Sequence, residues 1–132
     1  MLKKMFVLLL LFTPMVHATQ ESEVLIINKA LEVYVDKGTK GIEEHWPMPN
    51  TVDVTPFVNT LTAIEKYYGD VIDYDLIKVN EISERVRVAY FALNYNEGAA
   101  FLRVQTYLNH ENRVLFNYLN VHTEYQTYFS DK

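Results

Sequence analysis

A chain of 132 residues with 49% hydrophobic and 14% aromatic side chains has too much apolar content for a disordered segment. The absence of cysteine excludes disulfides, thiol catalysis and cysteine-ligated metal, so an apolar core must hold the fold unaided. A formal charge of −5 argues against nucleic acid and anionic lipid as partners, since an acidic surface repels both.

The first eighteen residues read as an export signal. Lys3 and Lys4 open it, an unbroken apolar run follows over residues 5–12, Pro14 breaks the run, and Val16-His17-Ala18 supplies the small or medium side chains of a cleavage site. The run is too short to span a hydrocarbon core, which takes about 18 apolar residues or more. Without a cysteine acceptor a lipid-anchored signal is excluded. Cleavage takes 18 of the 132 residues and leaves 114, a single domain over residues 19–132. Lys3 and Lys4 leave with the signal, so ten basic residues stand against 17 acidic ones and the net charge becomes −7. The expected location is periplasmic or secreted, with no membrane insertion after cleavage.

Residues 21–36 predict an amphipathic helix, with Val24, Ile27, Leu31 and Tyr34 at helical spacing. Gly38 lies where a left-handed residue closes a helix. Residues 41–46 predict a short second helix stopped by Pro47 and Pro49. A third starts with Thr55 as cap and Pro56 at the first helical position, shows Phe57, Leu61, Ile64 and Tyr68 on one face, and ends at Gly69.

The period then changes from helical to two. Residues 76–79 predict a short strand. Residues 85–95 predict a long one, with Val86, Val88 and Tyr90 on one face and Arg85, Arg87 and Phe91 on the other. Leu93 and Tyr95 share the parity of Phe91, so either both faces are partly covered there or a bulge moves the register. Asn96-Glu97-Gly98 is a turn. Residues 100–109 alternate again, His110-Glu111-Asn112 is a tight connection, and residues 113–123 predict the last strand. The expected fold class is α+β, with N-terminal helices packed on a curved, cone-like antiparallel sheet of about four strands.

Three segments carry a resemblance to a known family. "ALEVYVDKGTKGIEEHW" (residues 30–46) reads as a helix pair bent around a D-x-G step. "FVNTLTAIEKYYGDVIDYDLIKV" (residues 57–79) reads as a helix feeding the first strand. "RVRVAYFALNYNEGAAFLRVQTYLNHENRVLFNYL" (residues 85–119) reads as a three-stranded meander. Together they resemble the nuclear transport factor 2-like (cystatin-like α+β) superfamily, and more narrowly its exported bacterial branch. The resemblance implies a ligand site in the cone between helices and sheet. It does not imply an activity, because this scaffold hosts isomerases, dehydratases, transport factors, immunity proteins and secretion-system subunits.

An enzyme in such a cone needs a base and a hydrogen-bond donor for an oxyanion. Tyr34, Tyr68, Tyr90 and Tyr107 are possible donors, and His45, Asp36, Glu65 and His122 possible bases, but no spacing picks out a pair, so no catalytic residue is assigned. Tyr34, His45, Trp46, Tyr68 and Tyr90 are the candidate pocket residues for a small apolar ligand, with His45 and Trp46 read as packing at the wide end of the cone. Asp70, Asp73 and Asp75 lack the glycine turn and terminal acid of a calcium loop and read as a solvated turn before a strand. Glu43, Glu44 and His45 have no second histidine at ligand spacing. No metal and no cofactor is expected.

The final strands are apolar on both sides. Phe101 and Tyr107 oppose Leu102, Val104 and Leu108, while Phe116, Tyr118 and His122 oppose Leu115, Leu119 and Val121. Each face of such a sheet needs a cover. The helices supply one. A second copy, another exported protein or the chain's own tail would supply the other, which makes Phe101, Tyr107, Phe116 and Tyr118 the candidate interface. The expected function is an exported binding or protein-interaction module that forms a homodimer or a complex with another exported protein. The alternative is a small isomerase or hydro-lyase acting in the cone.

Overall fold

A computed structural model describes the backbone of residues 18–129 and side chains from residue 23 onward. The export-signal reading therefore lies outside the described residues, Ala18 apart. Within them the chain runs α1 (Ala18–Lys37), α2 (Thr39–His45), α3 (Thr55–Tyr68), β1 (Val71–Glu81), β2 (Val86–Tyr95), β3 (Ala99–Leu108) and β4 (Val114–His122), with one 3-10 turn at Tyr125–Thr127. The sheet is a curved antiparallel meander in the order β1-β2-β3-β4. The fold is α+β, with the helices preceding the sheet.

The periodicity of α1 is realised as expected. Ile27, Leu31 and Tyr34 are buried, and Ala30 joins them. Gly38 follows with φ of 72°, a left-handed conformation that costs a glycine no Cβ clash. It turns the chain directly into α2, whose Ile42 is fully buried. In α3, Phe57, Val58, Leu61 and Ile64 face the core. The start of α3 departs from expectation. Val54 is the cap, Thr55 is already helical, and it is Asp53 whose Oδ1 accepts the Thr55 N–H at 3.0 Å. This bond holds the Asp53 carboxyl below its ordinary range. Asp and Thr are both good acceptors for orphan helix donors, and here the one two residues upstream reaches the donor.

β1 is the largest difference. It spans eleven residues instead of residues 76–79, and Asp73 and Asp75 sit inside the strand, not in a turn. Both lie opposite the helix-facing side, where Asn94 Nδ2 of β2 donates to Asp73 at 2.6 Å and Asp75 at 2.9 Å. An edge strand with one open face tolerates carboxylates there. Two register shifts, between Val71 and Asp73 and between Leu76 and Lys78, also erase the period-two signal. The β1 residues packed on the core are Val71, Tyr74 and Val79, a spacing that belongs to no regular strand.

β2 and β3 pair without interruption from Val86↔Tyr107 to Asn94↔Ala99. Of the two explanations for the parity of Leu93 and Tyr95, the register therefore selects covered faces over a bulge in β2. Ala89, Phe91, Leu93 and Tyr95 point toward the helices with Ala100, Leu102 and Val104. Val86, Val88 and Tyr90 point away. A bulge occurs instead in β4, where Gln105 pairs with Tyr118 and Thr106 with Phe116, leaving Asn117 as the extra residue. The bulge exchanges the two faces along the strand. Phe116 therefore shares the helix side with Leu119 and Val121, and Leu115 shares the outer side with Tyr118 and His122.

Candidate functional site

The space between helices and sheet is occupied by one continuous apolar cluster, in which Leu31, Leu61, Phe91 and Leu102 are fully buried. One polar group of side chains crosses it. Tyr34 from α1 donates its hydroxyl proton to Glu65 Oε2 of α3 at 2.6 Å, and the Tyr95 hydroxyl of β2 lies 3.0 Å from the same oxygen of Tyr34. A phenol has one proton to give. With that of Tyr34 committed to Glu65, Tyr95 is the donor of the second bond. Burial is the largest cause pushing up the Tyr34 hydroxyl, reinforced by Tyr95 and Glu65; burial also pushes Tyr95 up to about 12. The bonds tie three elements together, with both tyrosine hydroxyls buried and Glu65 half-buried at the edge of the cluster. As a chemical arrangement this is a structural strut.

The five pocket candidates do not converge on one cavity. Tyr34 is in the strut. Trp46 is 6% exposed; its indole N–H donates to the Ala30 carbonyl at 2.7 Å, and its ring packs edge-on against Phe116 at 5.6 Å. Tyr68 is half-buried, tilted against Tyr95 at 6.4 Å. His45 is exposed beside Glu44 at 3.8 Å, so only Trp46 of the pair packs inside. Tyr90 lies on the opposite face of the sheet. Among the candidate bases, Asp36 is exposed, Glu65 is engaged, and His122 stands on the outer face against Tyr128 at 5.3 Å. Among the described residues, no three acidic or histidine side chains gather as metal ligands.

Sequence periodicity overlooked a buried ion pair. Glu23, 1% exposed, lies 3.7 Å from Arg87 Nε and accepts the Thr106 hydroxyl at 3.2 Å. Arg87 also reaches Glu81 at 3.4 Å. Burial raises the Glu23 carboxyl more than Arg87 and Thr106 lower it. The signal was present in the chain. Glu23 stands one helical turn before Ile27 on the buried stripe, and Arg87 and Thr106 share the inward parity of their strands.

The outer face of the sheet carries the remaining candidates. Phe101, Arg103, Gln105 and Tyr107 of β3 are half-buried there, and Tyr118 of β4 is 48% exposed. The Arg103 guanidinium sits 5.8 Å from the Tyr118 ring centre, a cation–π geometry. Tyr118 also borders an apolar cleft of about 220 Å³ with Met48, Val52, Val54 and Phe57. Phe116 does not belong to this face. It is 0% exposed beneath Trp46, because the Asn117 bulge turns it inward. The chain after His122 folds over the adjoining part of the face, where Tyr125 meets Phe101 at 5.5 Å and Tyr128 meets Tyr90 at 5.7 Å. Burial raises the Tyr128 hydroxyl.

Searches against protein-family models, curated proteins and solved structures each find no match to this chain, so the likeness to the nuclear transport factor 2-like superfamily stands on the sequence segments that suggested it.

Proposed function

We propose that the protein is an exported, non-catalytic interaction module of the nuclear transport factor 2-like kind. It engages a second copy, or another exported protein, through the outer face of β3 and β4. The observation that carries this reading is the aromatic content of a sheet face that the helices do not cover. Tyr118 stays 48% exposed beside an apolar cleft, even though the tail covers the neighbouring part of the face. Tyrosine and arginine together are characteristic of interface centres.

The carboxylate–tyrosine contact of Glu65 with Tyr34 favours a second reading, a small isomerase or hydro-lyase. That reading is weaker, because Tyr34 and Glu65 are in direct contact at 2.6 Å beside a filled interior and an acid–base pair needs room for substrate between its members.

Sedimentation velocity of the wild-type protein at micromolar concentration tests the proposal. A dimer that Tyr118→Glu or Tyr107→Glu dissolves without altering the circular dichroism spectrum supports it. If the protein is monomeric, an immobilised chain should retain an exported protein that the Tyr118→Glu chain releases. A monomer with no such Tyr118-dependent partner would overturn the reading.

A further inference from the structure

The segment after β4 covers the outer face in an unusual way. A 3-10 turn (Tyr125–Thr127) and the two residues after it set three aromatic side chains on the sheet. Tyr125 packs on Phe101 at 5.5 Å, Tyr128 on Tyr90 at 5.7 Å and His122 at 5.3 Å, and Phe129 on Tyr90 at 5.1 Å. The Tyr128 hydroxyl donates to Asn120 Oδ1. The backbone of the segment bonds only to itself, through Thr127 N–H to Glu124 C=O and the N–H groups of Tyr128 and Phe129 to Tyr125 C=O. Among the described residues it makes no main-chain bond to the sheet.

A cover held by ring contacts and one hydroxyl differs in kind from a fifth strand. It can leave as a unit without breaking a ladder bond, and Tyr125 is 47% exposed even when it is seated. The surface beneath it is already shaped for aromatic rings spaced one helical turn apart. Arg103 lies between Tyr90 and Asn120 in the same cross-strand row, and its Nε–H has no acceptor among the described residues. An acidic side chain or carbonyl entering with the rings would satisfy it.

We propose that the surface around Tyr90, Phe101, Asn120 and His122 is a receptor groove for a short aromatic peptide segment of another polypeptide. The recognised element is a single helical turn with aromatic side chains at i, i+3 and i+4, and the chain's own Tyr125, Tyr128 and Phe129 occupy the groove in cis as a removable strap. The inference rests on the outer face being a binding surface, but it concerns the part of that face beneath the tail, which adjoins Tyr118 through Arg103. The strap competes with any peptide in trans, so the apparent affinity of the intact protein is the intrinsic affinity reduced by the fraction of chains with the strap released.

The test uses the full chain and, as probe, a fluorescent synthetic peptide of residues 123–129, TEYQTYF. The double variant Tyr128→Ser/Phe129→Ser weakens the strap and leaves the groove intact. It should bind the peptide saturably, at least about tenfold more tightly than wild type does, and adding Tyr90→Ala should abolish binding. No binding to a double variant that still melts cooperatively would overturn the proposal. So would equal affinity for both proteins, or binding that survives Tyr90→Ala. Should the double variant not fold, Tyr128→Phe keeps the ring and removes only the bond to Asn120. It should give a smaller gain of the same sign, and no gain would overturn the proposal. A monomeric wild type without a Tyr118-dependent partner would defeat the interface reading and leave this titration unaffected.

Discussion

Truncating Phe116 to alanine removes a ring that is 0% exposed, packed edge-on against Trp46 at 5.6 Å and fixed by a 2.8 Å bond from its N–H to the Pro47 carbonyl. That bond holds the backbone at the bulge in place, so the site cannot collapse freely and most of the cavity should persist. A buried Phe→Ala change of this kind costs about 3–5 kcal/mol, a large share of the roughly 5–15 kcal/mol that holds a domain folded. At about 4 °C per kcal/mol for a domain near 110 residues, the melting temperature should fall by about 12–20 °C. Tyr118→Ala, two residues along the same strand, removes a ring that is 48% exposed and should cost within about 0.5–1 kcal/mol. Calorimetric melts of the two variants against wild type make the comparison. Equal losses, or a Phe116→Ala variant within about 1 kcal/mol of wild type, would show that the bulge at Asn117 does not place the two rings on opposite faces.

Glu23→Gln tests the buried ion pair. A carboxyl raised by burial contributes stability that is full below its unfolded value near 4.5 and is lost as pH climbs through the higher folded value. The neutral Gln variant should therefore gain on wild type in urea midpoint as pH rises from about 4 to about 7, and a flat or reversed difference would refute the assignment. Tyr95, pushed up to about 12, contributes stability that is present below about pH 10 and lost as pH rises through its folded value. Ultraviolet titration should show a step above the ordinary tyrosine range that Tyr95→Phe removes, and an unchanged number of such steps would count against the strut. In Gly98→Ala the new Cβ would lie 2.6 Å from the Tyr68 ring and should cost about 1–3 kcal/mol. Tyr68→Ala in the same chain should cancel most of that cost, and strict additivity in chemical unfolding would deny the clash.

The sequence alone determined the element order and the core faces wherever one periodicity ran unbroken. Ile27, Leu31 and Tyr34 in α1, Phe57, Leu61 and Ile64 in α3, and Leu102 and Val104 in β3 are all buried as their spacing requires, because burial on one face imposes the period of the element directly. It also located Gly38, since a left-handed residue after a helix leaves a compositional mark. Only the tertiary structure decided what depends on register. The three bulges in β1 and β4 insert single residues whose position is set by pairing with a neighbouring strand, and no local pattern encodes them. For that reason eleven residues of β1 read as a turn and a short strand, and Phe116 read as an outward ring. The convergence of Tyr34, Glu65 and Tyr95, and of Glu23 with Arg87 and Thr106, is likewise a matter of the packing of separate elements. The partners in the first group are 31 and 61 residues apart and in Glu23–Thr106 they are 83 apart, so the hydrogen bonds that decide which polar side chains are strut and which remain open to a partner exist only once helix and sheet have met.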